Sequence, residues 1–218
     1  MEITLQLFKK HQKVSVDDYI VPLKYPQWNQ NKIVEGFRKD YSKRDRLIFY
    51  PYWFVNDELK QIVPTHVVKH MMDKPLVIHY HKDRPTKMFV PIHMDGNLSF
   101  EHAHDYNAAI NIPVIGCDHK CLTNFWYAPE GFEYEQKEFA RIYKAGWLEN
   151  AVEYCMTDQP ILFNTKQLHS TANYNTWDRE RCIISWRFKS YVSWEDAKEM
   201  LHTYLQPSPQ MTDLKQLD

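Results

Sequence analysis

The run Met88-Phe-Val-Pro-Ile-His-Met-Asp-Gly96 closes a stretch of strand-forming residues with a histidine, a carboxylate and a glycine. In a β-strand, residues two apart point to the same face of the sheet. His93 and Asp95 are therefore predicted to present an imidazole and a carboxylate side by side at the end of a strand. A second run, Pro160-Ile-Leu-Phe-Asn-Thr-Lys-Gln-Leu-His169, places another histidine just after a predicted strand.

Two imidazoles and one carboxylate on one face of an ion leave its other positions open, a ligand set typical of non-haem Fe(II). We therefore predict that His93, Asp95 and His169 bind iron. The segment His81-Lys-Asp83 has the same spacing, but it precedes Arg84-Pro85 in a predicted turn. A turn would not hold both of those side chains on one face, because the residue before a proline is restricted.

The composition is that of an ordinary globular protein, with 44% hydrophobic and 25% charged residues in a chain of 218. A formal net charge of -1 gives no indication of a nucleic-acid or anionic-membrane partner. The first residues lack the basic and apolar regions of a signal peptide, and no apolar run approaches the ~20 residues of a membrane helix. We expect a cytoplasmic protein without membrane association.

Short strands separated by turn signals dominate the sequence from Leu76 onward. The predicted strands are Leu76–Tyr80, Lys87–Met94, Ala108–Ile112, Leu122–Tyr127, Ile161–Phe163 and Cys182–Phe188. The polar residues 130–151 are interpreted as an insertion, partly helical. This pattern predicts a mainly β protein with flanking helices, built as a double-stranded β-helix (a cupin-like jelly roll).

A single domain is predicted over residues 1–205. Its parts are a mixed N-terminal extension (1–75), a jelly-roll core (76–190), a C-terminal helix (193–205) and then a flexible tail (206–218). Ser193-Trp-Glu-Asp196 is a capping box for the C-terminal helix, whose apolar face we assign to Trp194, Ala197, Leu201 and Leu205. Within the extension we expect a strand over residues 2–8 and helices at 31–41, after Asn56, and at 65–72.

Four blocks carry a resemblance to a known family: HMDG, AINIPV, ILFNTKQLHSTAN and RCIISWRF. In order and spacing, the sequence resembles the 2-oxoglutarate/Fe(II)-dependent oxygenase superfamily. It is similar in particular to the small bacterial and phage members, and more remotely to the aspartyl/asparaginyl β-hydroxylases. The resemblance covers roughly the last two-thirds of the chain and leaves out the N-terminal 75 residues.

This resemblance implies a double-stranded β-helix with the same three iron ligands. It also implies that Arg181 binds the distal carboxylate of 2-oxoglutarate. A guanidinium suits that role because it binds a carboxylate bidentately and stays charged when buried. The alternative for Arg181 is a surface ion pair with Asp178 or Glu180.

One position departs from the family pattern. Many members carry a serine or threonine two residues after the arginine as a second anchor for the co-substrate. Here that position is Ile183, and Ser185 follows Arg181 by four. Asn111 and Tyr127, if they point inward, are the other candidates for the second anchor, and the alternative for both is an ordinary strand residue.

The resemblance implies an enzyme that uses Fe(II), 2-oxoglutarate and O2, coupling decarboxylation of 2-oxoglutarate to hydroxylation of a small-molecule or peptide substrate. No catalytic residue beyond the metal ligands is predicted. Two alternatives stay open: a cupin-type metalloenzyme that does not use 2-oxoglutarate, and a jelly-roll binding or assembly protein. The sequence specifies neither the substrate nor the oligomeric state.

Overall fold

The computed structural model describes residues 15–24, 31–35, 49–51, 63–73, 75–80, 90–96, 106–117, 121–128, 133–136, 140–144, 148, 150–155, 159–173 and 181–206. The strands are β1 (Ile20–Pro22), β2 (Phe49–Pro51), β3 (Leu76–Tyr80), β4 (Val90–Asp95), β5 (Ala108–Ile115), β6 (Cys121–Trp126), β7 (Tyr134–Gln136), β8 (Ala140–Tyr143), β9 (Asn150–Cys155), β10 (Ile161–Asn164), β11 (His169–Asn173) and β12 (Arg181–Arg187). The helices are α1 (Thr65–Val68) and α2 (Trp194–Met200), with 3-10 turns at Val16–Asp18 and His202–Tyr204. Residues 31–35 are also helical. None of the helices in these ranges is long and apolar enough to cross a bilayer.

Within the described residues, the strands form two six-stranded antiparallel sheets. The first has the order β1-β10-β5-β12-β3-β2 and the second β7-β8-β4-β11-β6-β9. From β3 to β6 the chain alternates between the sheets, and from β9 to β12 it alternates again. This path lays β11 between β4 and β6, and so brings the two predicted ligand segments onto neighbouring strands.

The first sheet is buried on both faces, as the alternation along β12 shows. Cys182, Ile184 and Trp186 point to an outer core, where Ala197 and Leu201 of the C-terminal segment pack. The outer core consists of Val21, Leu23, Ile33, Val63, Val67, Met71, Val77, Ala108, Ile110, Ile112, Val114, Leu162, Cys182, Ile184, Trp186, Phe188, Val192, Ala197 and Leu201. The residues between these on β12 therefore face the space between the sheets.

An inner core fills part of the space between the two sheets. Its members are Tyr19, Ile20, Cys117, Phe125, Val152, Ile161, Phe163 and Ile183, drawn from both sheets. The inner face of β12 is otherwise polar, because it also carries Arg181, Ser185 and Arg187. A polar stripe on the inward face of a buried strand marks the place where a site can form.

The predicted mainly β fold with flanking helices is confirmed, and β3 has the predicted bounds. The predicted helical content of residues 130–151 is wrong for the described part, which forms β7, β8 and the start of β9. β5 runs three residues further than predicted, through Pro113. Proline is tolerated there because it lies beyond the last residue paired with β10 and at a register shift against β12.

The predicted C-terminal helix is confirmed but shorter, since α2 ends at Met200 and a 3-10 turn follows. Ser193 and Asp196 form the capping box, with the Ser193 hydroxyl accepting from the Asp196 N–H at 3.0 Å. The helix predicted for residues 65–72 likewise ends early, at Val68. The predictions for residues 2–8, for the helix after Asn56 and for the tail beyond residue 206 fall outside the described residues.

Candidate metal centre

The three predicted ligands come together where β4 ends and β11 begins. Asp95 is the last residue of β4 and His93 lies two residues before it, while His169 is the first residue of β11. The antiparallel register places His169 directly opposite His93, and their ring centroids are 4.2 Å apart. A pairing register, rather than a loop conformation, therefore sets the separation of the two imidazoles.

The distances between the ligand atoms suit a single ion. Asp95 Oδ1 is 3.6 Å from His93 Nε2 and 3.9 Å from His169 Nε2. One ligand atom from each of the three side chains lies within 4.8 Å of the other two. Two imidazole nitrogens and a carboxylate oxygen, all on one side, fit a transition metal with open coordination positions.

A backbone carbonyl fixes the tautomer of His169. The Nδ1–H of His169 donates to the carbonyl oxygen of Gln167 at 2.8 Å, which leaves the lone pair on Nε2, on the side of Asp95. Histidines that bind metals commonly make this second hydrogen bond. Burial lowers the pKa of His169 to about 4, with the neighbouring His93 adding to the effect, so the ring is neutral at pH 7.

An arginine that sequence reasoning missed, Arg187, neutralises the carboxylate. Its Nη2 donates to Asp95 Oδ2 at 3.0 Å. Burial alone would raise the pKa of Asp95, but the Arg187 guanidinium, with the two imidazoles, holds that pKa well below its usual range. Asp95 is therefore an ionised ligand at neutral pH. The signal was in RCIISWRF: residues 181 and 187 are an even number apart and share a strand face.

Two further residues hold Asp95 and Arg187 in place. The backbone N–H of Asp95 donates to the Thr165 carbonyl at 3.1 Å, and the Thr165 hydroxyl donates to the Tyr106 carbonyl at 2.7 Å. The Arg187 guanidinium lies 5.0 Å from the centroid of the Tyr106 ring. The contacts run from Asp95 through Thr165 and Tyr106 to Arg187 and back to Asp95.

Aromatic side chains cover the inner side of the cluster. The Phe163 ring meets His169 edge to face at a centroid distance of 4.8 Å, and Phe125 lies 5.2 Å from Phe163. Tyr19 continues this group at 5.0 Å from Phe125. These contacts exclude water from one side of the site and restrict the His169 ring.

Three of the four predicted co-substrate residues, Arg181, Ser185 and Asn111, lie on the inner face of the first sheet. Arg181 is 2% exposed and so does not lie at the surface, while Asp178 and Glu180, its alternative partners, lie outside the described residues. Arg181 begins β12, about 20 Å along the strand from Arg187 at ~3.3 Å per residue. Ser185 and Asn111 are directly opposite each other in register, and both are buried. Among the described residues, Asn111 Oδ1 has no hydrogen-bond partner.

Tyr127 lies at the other end of the inner face from Arg181. Phe125 pairs with His169, and Tyr127 follows the end of β6, beyond the level of the metal ligands. It also lies near Tyr19, whose pKa is raised by burial and further by Tyr127 and Asp18. The structure thus brings Ser185 and Asn111 together on the inner face, between Arg181 and Arg187 along β12, and does not place Tyr127 beside them.

Comparisons with known proteins add little to this geometry. No protein-family model matches the sequence, and no curated protein matches it. The fold is similar to the crystal structure of apo HygX from Streptomyces hygroscopicus, with a TM-score of 0.39 and 11% sequence identity. That match covers 79% of this chain and 81% of HygX. The evidence for function therefore lies in the chain's own residues.

Proposed function

We propose that this protein is a non-haem Fe(II) enzyme that couples oxidative decarboxylation of 2-oxoglutarate to hydroxylation of a small-molecule or peptide substrate. The observation that carries the proposal is the cluster of His93, Asp95 and His169, whose ligand atoms all lie within 4.8 Å of one another. In this interpretation, the two six-stranded sheets are a double-stranded β-helix with β1, β2, β7 and β8 added at the edges.

The donor set fits a ferrous ion. Two imidazoles and a carboxylate with open positions suit Fe(II), and the same donors also hold Zn²⁺ in catalytic sites, whereas an all-oxygen set would suit Mg²⁺ or Ca²⁺. When bound here, iron and 2-oxoglutarate would supply the oxidation of a C–H bond by O2. The chain's own residues orient the partners and exclude water.

The inner face of β12 supports a dicarboxylate co-substrate. Arg181 begins this face and Ser185 follows it toward the metal ligands, so a cation and a hydroxyl lie on one buried polar stripe, whereas Arg187 at the far end is already paired with Asp95. A guanidinium held away from water binds a carboxylate strongly. We assign Arg181 to the distal carboxylate, and assign Ser185 and Asn111 to hydrogen bonds with the ligand. The buried Asn111 Oδ1, which lacks a partner among the described residues, supports a ligand next to it.

The apolar residues of the inner core would exclude water from the space between the two sheets. Phe125 and Phe163 flank His169, while Ile183 lies between Arg181 and Ser185 on β12. Dry walls strengthen the pairing of Arg181 with a carboxylate, because the effective dielectric constant is low. Tyr19, which belongs to the inner core, and Tyr127 lie at the metal end of this face.

An anaerobic titration tests the proposal. Fe(II) and then 2-oxoglutarate are added to the protein, and the visible charge-transfer band of the Fe(II)–2-oxoglutarate chelate is followed. The wild type is expected to give a saturable band and His169→Ala none. His202→Ala is the matched control, because His202 is exposed on the surface beyond α2.

Other results would redirect or overturn the proposal. Metal binding without the band would favour a cupin-type metalloenzyme that does not use 2-oxoglutarate. Absence of stoichiometric metal binding, or an undiminished band in His169→Ala, would overturn the metal site altogether. Succinate formation from 2-oxoglutarate in air provides an independent readout.

A further inference from the structure

The two carboxylate oxygens of Asp95 have different surroundings. Oδ1 faces the imidazoles, at 3.6 Å from His93 Nε2 and 3.9 Å from His169 Nε2. Oδ2 accepts a hydrogen bond from Arg187 Nη2 at 3.0 Å. A metal between the histidines would therefore meet one oxygen, while the other is already engaged by a cation.

Arg187 is held in a fixed position, so it keeps its hydrogen bond to Oδ2 of Asp95 and leaves Oδ1 facing the imidazoles. Its guanidinium stacks on the Tyr106 ring at 5.0 Å, and its side chain is 11% exposed. The Tyr106 carbonyl is in turn tied through Thr165 to the backbone of Asp95. Both the backbone and the side chain of Asp95 are thus anchored to the same group of residues, so its carboxylate has little freedom to rotate.

We propose that Arg187 is a positioning residue that restricts Asp95 to one-oxygen ligation of the metal. This inference depends on the proposed metal site. A carboxylate that binds through both oxygens takes up two coordination positions, whereas one that binds through Oδ1 takes one. By holding Oδ2, Arg187 preserves an open position for a co-substrate or O2.

Cobalt(II) substitution tests the inference without turnover. Co(II) is titrated into metal-free protein under argon, and both the Kd and the d–d absorption bands are recorded, since the bands report the number and arrangement of ligands. Arg187→Gln is expected to raise the Kd about 10- to 100-fold, as loss of a residue supporting a ligand commonly does. Its bands should also change, because Oδ2 is released to bind the metal.

A matched variant controls for the change of charge. Arg141 lies on β8 opposite Met94, on the face of the sheet away from Asp95, so Arg141→Gln should leave both the Kd and the bands unchanged. Arg187→Lys keeps a cationic donor and should bring the Kd back to within a few-fold of the wild type. If Arg187→Gln does not fold, as judged by circular dichroism, Arg187→Met is measured instead, since it keeps the length of the side chain.

The possible results separate the inference from the proposed function. Wild-type Kd and bands in Arg187→Gln would overturn the positioning role while leaving the metal site in place. A lower melting temperature with unchanged bands would do the same, because it would show a purely structural role. A lysine variant as weak as the glutamine variant would assign the effect to packing and overturn the inference. A wild-type protein that does not bind Co(II) would overturn the inference together with the proposed metal site.

Discussion

His169 lies directly opposite His93 across the pairing of β11 with β4, although the two residues are far apart in the sequence. The position of one imidazole relative to the other therefore depends on strand register. A slip by one residue would turn every side chain of β11 to the other face. The hydrogen bond from His169 Nδ1 to Gln167 and the packing of Phe163 add to this register by fixing the ring.

Breaking the ion pair between Asp95 and Arg187 should destabilise the fold. In Asp95→Asn, the guanidinium loses its counter-ion in a site where its side chain is 11% exposed. Removing one partner of a largely buried pair costs about 3 kcal/mol. Urea unfolding of the metal-free protein measures the loss.

The double variant Asp95→Asn with Arg187→Gln serves as the control for that prediction. It should recover part of the lost free energy of unfolding, because no charge is then left unpaired at the site. If the double variant lost as much free energy of unfolding as the two single variants together, the pair would contribute no coupling energy.

Arg181 should contribute to the affinity for 2-oxoglutarate rather than for metal. Arg181→Gln removes a buried guanidinium, and loss of one partner of a desolvated charge pair costs about 2–5 kcal/mol of binding. Arg181→Lys should restore only part of it, because an ammonium lacks the planar fork that matches a carboxylate. Isothermal titration of the Co(II)-loaded protein with 2-oxoglutarate measures both.

Metal affinity serves as the internal control for the arginine variants. It should stay at the wild-type value in Arg181→Gln, since Arg181 begins β12 and the metal ligands lie at its far end. Equal loss of metal and 2-oxoglutarate binding would indicate that the change has disturbed the whole cavity. An unchanged affinity for 2-oxoglutarate would remove Arg181 from the co-substrate site.

The site could be predicted from the sequence to the extent that it follows strand alternation. His93 and Asp95 are two apart on one strand, and strands with this period are visible in the sequence. The strand pattern could place Arg187 on the same face as Arg181, but its pairing with Asp95 depends on a contact between the two sheets. Tyr127 and Ser185 were equally good candidates in the sequence, and only the register of β6 with β11 shows that Tyr127 lies at the metal end.

The edges of the sheets were the least predictable part of the fold. β7 and β8 are short, and their polar residues alternate weakly, so the insertion at residues 130–151 resembled a loop with helical content. Their strand structure comes from pairing with the end of β4, which is a tertiary contact. β1 and β2 likewise join the first sheet from the N-terminal part of the chain, through pairing with β10 and β3.

Stability of the metal-free protein should rise with pH between about 4 and 6.5. His169 has a folded-state pKa of about 4, whereas an unfolded histidine titrates near 6.5, so in this window the unfolded chain binds the extra proton. Acidification through the window therefore favours unfolding, by up to ~1.4 kcal/mol per pH unit for one proton. Asp95 acts in the same direction at lower pH, because its pKa is held below the unfolded value.

Urea unfolding with a chelator at pH 5 and pH 7 measures this slope. His169→Asn removes the titrating ring. The slope of unfolding free energy against pH should then fall by an amount close to that of one bound proton. The difference between the two slopes isolates the contribution of His169, which neither slope gives alone. Identical slopes in wild type and variant would mean that His169 titrates normally in the fold.

Phe125 should link core packing to the metal site. It is fully buried in the inner core, lies between Tyr19 and Phe163, and pairs in register with His169. Phe125→Ala leaves a cavity and should cost about 3–5 kcal/mol in the free energy of unfolding. Phe125→Leu should cost less, yet it still removes the ring contact behind His169, so the Co(II) Kd should rise even where the variant is folded.

The matched control for Phe125 is Ser193→Ala. It removes the capping box of α2, outside the inner core, and should cost about 1 kcal/mol. Because the capping box lies away from His169, the Co(II) Kd should not change. If Phe125→Leu also kept the wild-type Kd at a clear loss of stability, the aromatic group would be a structural support alone, and the His169 ring would be held by its pairing with β4 and its hydrogen bond to Gln167.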